Sequence, residues 1–205
     1  MKAMVLAAGE GRRLRPLTEK TPKALVPVGG IPVLERVLGL LRGAGVSAAV
    51  VNTFHLAEQV EKFLRSKDFG LEVETSREKV LLDTGGGLKN AAKFFSGETE
   101  PFFLYNADVV SDVDLKELYA AHRGLATLGV SDRPTKRRLI FDAGRLIGRP
   151  TGTDERREFR GVARLSGCAT EPPPRGAASM RSIRTAPCLC DSVALNPHHD
   201  MVFVP

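Results

Sequence analysis

The opening of the chain constrains its fold more than any other stretch. Ala3-Met4-Val5-Leu6-Ala7-Ala8 is an apolar run of the length of a buried strand, and it runs straight into Gly9-Glu10-Gly11. Glycine at positions 9 and 11 lets the backbone turn sharply and brings its N–H groups close to a ligand, where a side chain would obstruct. Cations follow, with Arg13 and Lys23 the expected phosphate clamps. Strand, glycine turn and cations together describe a cradle for a polyanion such as a nucleoside triphosphate.

The turn taken alone reads more readily as an ordinary strand-to-loop turn beside solvated arginines. It is not a Walker A loop, because no Gly-Lys-Ser/Thr closes it. Nor is it Gly-x-Gly-x-x-Gly, because Leu14 stands where the third glycine belongs. The longer string LAAGEGRRLRPLTEKTPKALVPVGGIPVLE resembles the signature of the sugar-1-phosphate nucleotidyltransferases, or NDP-sugar pyrophosphorylases. That signature carries Gly-x-Gly-x-Arg-Leu/Met, Pro-Leu-Thr and Pro-Lys-x-Leu-x-Pro-Val at these spacings.

Strand, turn and helix signals alternate over residues 1–123, which predicts a right-handed βαβ series with a mostly parallel sheet. Ile31 to Glu35 opens a helix whose apolar stripe is Val33, Leu34, Val37, Leu38 and Leu41, ended by Gly43 and Gly45. Ala48 to Asn52 reads as a second strand, His55 to Lys67 as a helix, and Leu71 to Glu74 as a third strand. Leu81 to Leu88 carries Gly85-Gly86-Gly87 into a helix over Lys89 to Phe95. Pro101 to Tyr105 is the most hydrophobic strand and delivers Asn106-Ala107-Asp108. Beyond it come a helix near Asp114 to His122, a strand over Leu125 to Ser131, and a hairpin of Arg138 to Asp142 with Arg145 to Gly148. Asp108 reads either as a metal-binding carboxylate at the carboxyl end of a central strand or as the cap of the following helix.

The resemblance implies an α/β, Rossmann-like three-layer α/β/α fold, the nucleotide-diphospho-sugar transferase fold, C-terminally truncated or degenerate. It implies attack of a sugar 1-phosphate on a nucleoside triphosphate, UTP favoured, to give an NDP-sugar and pyrophosphate. Arg13, Lys23 and Asp108 would be catalytic, and Asp108 would hold Mg²⁺. Ala8, Gly9, Gly11, Arg12, Gly85, Gly86 and Asn106 would contact substrate. The Leu-Asp-Thr-Gly-Gly-Gly and Asn-Ala-Asp segments are most similar to the N-acetylmuramate-1-phosphate uridylyltransferase and mannose-1-phosphate guanylyltransferase branch. Mannose 1-phosphate with GTP, and glucose 1-phosphate with dTTP or UTP, are the alternative pairs. The product would be a precursor of cell wall or polysaccharide.

Composition agrees with a globular domain: 205 residues, 42% hydrophobic and 26% charged. The net charge of +6 is scattered, with neither a dense basic run nor interleaved aromatics, so nucleic acid is not the expected partner. No apolar run is long enough to cross a membrane and no signal-peptide pattern opens the chain, so the expectation is a cytoplasmic protein. Oligomeric state is not legible.

The pattern stops near Arg149. Residues 1–148 form the expected nucleotidyltransferase domain, and 149–205 an atypical Arg/Pro-rich tail, out of frame or disordered. Seven of the thirteen prolines and eight arginines lie there, and none of the ten lysines. The family's later Asp-x-Gly-Thr-type segment, which carries a second metal-binding aspartate, has no counterpart. That departure favours the alternative reading, a catalytically inactive or truncated nucleotide- or sugar-phosphate-binding homologue. Cys168, Cys188 and Cys190 fit no disulfide framework or metal spacing, and His198-His199-Asp200 lacks further ligands.

Overall fold

The computed structural model describes residues 1–122 and the strands at 126–129, 140–142, 145–148, 183–186 and 201–204. One compact unit is built on Met1–Val110, and a second takes the described residues from Ser111 onward.

In the first unit the elements follow in order. They are β1 (Lys2–Leu6), α1 (Leu17–Lys20), β2 (Pro27–Val28), β3 (Ile31–Pro32), α2 (Val33–Gly43) and β4 (Ala48–Thr53). After them come α3 (Ala57–Arg65), β5 (Glu72–Arg77), α4 (Asp83–Asn90) and β6 (Phe102–Asn106). β1 pairs in parallel with β4 on one side and β6 on the other, and β4 pairs in parallel with β5. The mostly parallel α/β sheet implied by the alternation is therefore the sheet found. Its inner strands are apolar on both faces, as burial under helices demands: Ala3, Met4 and Val5 are buried, and so are all of Phe102 to Tyr105. β5 lies at the edge of this group, and its Glu-Val-Glu alternation leaves the glutamates exposed.

Helix α2 buries the whole expected stripe, Val33, Leu34, Val37, Leu38 and Leu41. It begins two residues later than its sequence suggests, because Ile31 and Pro32 pair with Val28 and Pro27 in a small hairpin. α3 likewise starts at Ala57, since Leu56 ahead of it adopts a left-handed conformation at φ 51°.

The order of the connections positions the site. From β1 the chain moves outward to β4 and then β5, and returns to the opposite side of β1 for β6. The strand order thus reverses at β1, which has β4 on one side and β6 on the other, and open α/β sheets leave a crevice at the carboxyl ends of the strands at such a point.

In the second unit α5 (Leu115–Ala120) is capped by Asp114, whose Oδ1 accepts from the N–H groups of Lys116 at 2.9 Å and Glu117 at 3.0 Å. The strands are β7 (Ala126–Gly129), β8 (Ile140–Asp142), β9 (Arg145–Gly148), β10 (Ile183–Ala186) and β11 (Met201–Val204). β7 pairs antiparallel with β10 and parallel with β11, and β8 pairs with β9 as the expected hairpin. Two short strands thus lie in a stretch whose sequence shows no periodicity. The rest of the 149–205 tail, the three cysteines and His198-His199-Asp200 fall outside the described residues.

Candidate functional site at the carboxyl ends of β1 and β6

The register lines up the ends of the strands. Leu6 stands opposite Asn52 of β4 and Asn106 of β6, and Asn52 stands opposite Ser76 of β5. The segments leaving this row carry nearly all the residues singled out above. The Ala107 N–H donates to the carbonyl of Leu6 at 3.0 Å, so Asn106-Ala107-Asp108 runs beside the start of the glycine loop. Ala8 is buried, Asn106 half-buried, and Gly9 exposed.

The two glycines of the loop differ in what they do for the fold. Gly11 sits at φ 64°, and a Cβ built on it would lie 2.8 Å from Thr18 Cγ2 and 3.2 Å from Lys23 Cβ. Its backbone conformation and its neighbours both require glycine. Gly9 is not in the left-handed region, and its Cβ would enter open space. The fold of the chain itself does not require glycine there.

The Pro-Leu-Thr segment holds the loop down. Thr18, almost fully buried, donates its hydroxyl to the Gly11 carbonyl at 2.9 Å, and its own carbonyl meets His55 Nε2 at 2.7 Å. Gln59 of α3 donates to the carbonyl of Lys20 at 3.1 Å. Arg12 and Arg13 lie exposed on the single turn Arg12–Leu14 that follows. Arg12 is ion-paired with Glu10, and the guanidinium's hydrogen bond holds that carboxyl below its ordinary range while raising the arginine. Arg13 has no ion pair among the described residues.

The Pro-Lys segment places Lys23 on a second single turn, Lys23–Leu25, where its ammonium is ion-paired with Asp108 Oδ2. Eighty-five residues separate the two in sequence. Both side chains keep partial access to solvent, 27% for Lys23 and 36% for Asp108. Asp108 is not a helix cap, because Asp114 fills that place.

The glycine triplet behaves differently from the sequence expectation. Gly85, Gly86 and Gly87 lie inside α4, and Ala92–Phe95 forms a separate turn, so the glycines do not precede the helix. A Cβ on Gly86 would meet Leu82 Cβ at 2.8 Å. A Cβ on Gly87 would meet Asn52 Nδ2 and Glu78 Oε1, each at 2.8 Å. Asn52 and Glu78 are buried polar residues that the sequence analysis does not name as site residues. Asn52 accepts from the Ala7 N–H at 2.6 Å and donates to Glu78 at 2.7 Å, and Glu78 accepts from the Leu82 N–H at 3.0 Å. The signal that marks Asn52 is a polar side chain closing the apolar strand Ala48–Val51. Glu78 carries no comparable mark.

Lys23, Asp108 and Gly11 are thus brought together. Gly85 and Gly86 join the same end of the sheet through Gly87, Asn52 and Ala7. Among the described residues no hydrogen bond or ion pair links Arg13 to Lys23 or Asp108. The arrangement offers a cationic loop, exposed main chain at Gly9 and one carboxylate, which suits an anionic ligand and a hard cation.

Residues 2–137 match the family described as nucleotidyl transferase. The chain is 38% identical over 125 residues to a mannose-1-phosphate guanyltransferase of Gibberella zeae, covering 60% of this chain and 34% of that one. It is 40% identical over 116 residues to the N-acetylmuramate alpha-1-phosphate uridylyltransferase of Neisseria meningitidis, covering 56% and 49%. The chain spans between a third and a half of the length of these relatives. Among solved structures, HddC of Yersinia pseudotuberculosis, complexed with GMP-PN, superposes at a TM-score of 0.59 with 24% identity, covering 69% of this chain and 64% of that one. That likeness shows the shared fold. A match reaching over more than half of the chain, on the residues that build this crevice, places the protein in the nucleotidyl transferase family, as a relative of the sugar-1-phosphate nucleotidyltransferases.

Proposed function

We propose that this protein joins a nucleoside triphosphate to a sugar 1-phosphate. The observation that carries the reading is the Lys23–Asp108 ion pair beside Gly11, at the switch point between β1 and β6. A phosphate oxygen of the sugar attacks the α-phosphorus, the bond to the bridging oxygen breaks, and pyrophosphate leaves. No covalent enzyme intermediate is needed, so the protein's task is to align two anions and offset their charge.

Arg13 holds the β- and γ-phosphates and stabilises the leaving group. Lys23 neutralises charge at the α-phosphate, where it builds in the transition state. The main chain at Ala8, Gly9 and Gly11, with Arg12, lines the triphosphate. Gly85 and Gly86 let α4 approach the nucleoside and sugar, and Asn106 bonds the sugar. Asp108 is the residue that would hold Mg²⁺. Among the described residues no group of three His, Cys, Asp or Glu side chains could hold a metal, so a single carboxylate would share the ion with phosphate oxygens and water. That donor set suits Mg²⁺, which is commonly bound by one or two carboxylates plus substrate phosphates. Bound there, the ion would neutralise phosphate charge.

UTP with N-acetylmuramate 1-phosphate is the favoured pair, on the likeness of the Gly-Gly-Gly segment. The relatives' names divide between guanylyl and uridylyl transfer, so GTP with mannose 1-phosphate is the main competitor. A second reading, a binding module without turnover, is favoured by the ion pair between Asp108 and Lys23, which occupies the carboxylate with a cation of the chain itself. Pyrophosphate release across a panel of triphosphates and sugar 1-phosphates, with and without Mg²⁺, tests both. Mg²⁺-dependent release with one pair supports the enzyme. Triphosphate binding without release selects the module, and no binding at all refutes both.

A further inference from the structure

We propose that Asn52 is a positioning residue for the loop after β1, and that Glu78 fixes the direction of its amide. The role in ligand binding rests on the reading above, that this loop faces a triphosphate. The Ala7 N–H can only donate, so the Asn52 atom 2.6 Å from it is the carbonyl Oδ1. Nδ2 is then left to donate to Glu78 Oε1 at 2.7 Å, and a carboxylate is an acceptor there. The other carboxylate oxygen takes the Leu82 N–H, just ahead of α4, at 3.0 Å.

Three segments far apart in sequence therefore share one directional chain of hydrogen bonds. Asn52 is 2% exposed and Glu78 5%, so a bond broken in this chain leaves a buried polar group unmet. Gly87 packs α4 directly on the chain, since any side chain there would collide with both members. The Ala7 peptide is the first beyond β1, and its plane sets the direction in which Ala8 and Gly9 leave the sheet. Thr18 ties the loop at Gly11, and Asn52 ties it at its start.

The test uses a pair of variants. N52D places an acceptor against Glu78, so two carboxylates face each other. N52D/E78Q restores one donor and one acceptor with the direction reversed between the two side chains, and keeps the net charge. Two readouts are taken on folded protein: calorimetric affinity for UTP and for GTP with Mg²⁺, and amide exchange at Ala7 by NMR. N52D is expected to bind triphosphate about tenfold more weakly and to exchange faster at Ala7, with the double variant returning to within about threefold of the parent on both. A merely structural role would lower the melting temperature and leave the affinity of folded protein unmoved. The inference is overturned if N52D binds and exchanges as the parent does, or if the double variant behaves as N52D. Should N52D fail to fold, a folded, triphosphate-binding double variant supports the pairing and an unfolded one overturns it. If the parent binds neither triphosphate, the proposed function falls, and Ala7 exchange still decides whether Asn52 pins the loop.

Discussion

Gly11→Ala separates the structural work of the glycine loop from its work on a ligand. Two costs arise at this position. The backbone sits at φ 64°, where a Cβ costs about 1–2 kcal/mol. That Cβ would also lie 2.8 Å from Thr18 Cγ2, closer than two carbons approach. Thr18 cannot rotate away freely, because it is buried and its hydroxyl is bonded to the Gly11 carbonyl, a bond of about 1 kcal/mol. Reduced freedom of the unfolded chain offsets about 0.4–1 kcal/mol. The net expectation is a loss of about 1–3 kcal/mol, or about 2–12 °C in Tm for a protein of this size. Gly9→Ala supplies the contrast, since its Cβ meets open space in an ordinary backbone conformation. Its stability should stay within about 0.5 kcal/mol of the parent. If main chain passes close to phosphate at Gly9, triphosphate affinity should nevertheless fall. Thermal and urea unfolding, with calorimetric titration of Mg²⁺-triphosphate, read both effects. A Gly11→Ala protein that melts with the parent refutes the argument from the left-handed turn and Thr18. A Gly9→Ala protein that is stable and binds unchanged refutes close approach at that residue.

Lys23→Ala and Asp108→Ala should each abolish pyrophosphate release while the protein stays folded, and substantial release by either would remove that residue from the proposed chemistry. Gly87→Ala gains about 1 kcal/mol of helix propensity but drives a methyl into Asn52 and Glu78. Overpacking of about 1–3 kcal/mol and a disturbed buried hydrogen bond of about 1 kcal/mol outweigh that gain, so a net loss of about 1–3 kcal/mol is expected in urea unfolding, and an unchanged midpoint would mean that α4 shifts freely on the sheet. Asp114→Ala removes the one carboxylate oxygen that accepts from both N–H groups at the α5 N-terminus and should cost about 1 kcal/mol, read by urea denaturation. An unchanged transition would show that the cap contributes nothing.

The fold was legible wherever apolar spacing was regular. The stripe on α2 appears residue for residue in the core, and the apolar runs at Ala3 and Pro101 mark β1 and β6. Boundaries were less legible, for reasons that lie outside local pattern. Pairing with Val28 draws Ile31 out of the helix that its neighbours begin. The glycine triplet reads as a break by propensity, yet α4 continues through it because Gly87 must lie against buried side chains of β4 and the segment after β5. Propensity there yields to close packing. Strands β10 and β11 follow no periodicity of their own. Each is four residues long and is defined by pairing to β7, which no local window contains.

The candidate site divides along the same line. Residues whose function would be written in their type and spacing, such as Gly11, Lys23 and Asp108, could be named before any coordinates, and the structure sets Lys23 against Asp108. What the string could not show is which glycine does which work. Gly9 and Gly11 look alike in sequence, but only Gly11 is demanded by the backbone and its neighbours, whereas a Cβ at position 9 would meet open space. The link between Asn52 and Glu78 is hidden in the string for a different reason. A buried hydrogen-bonded pair acts through direction, and direction exists only once Ala7, Asn52 and Leu82 have been brought to the same end of the sheet. The crevice therefore depends on two kinds of residue. On the proposed reading, those that meet the ligand are chosen for charge or absence of bulk, and those that aim the main chain for the sense of a donor and an acceptor.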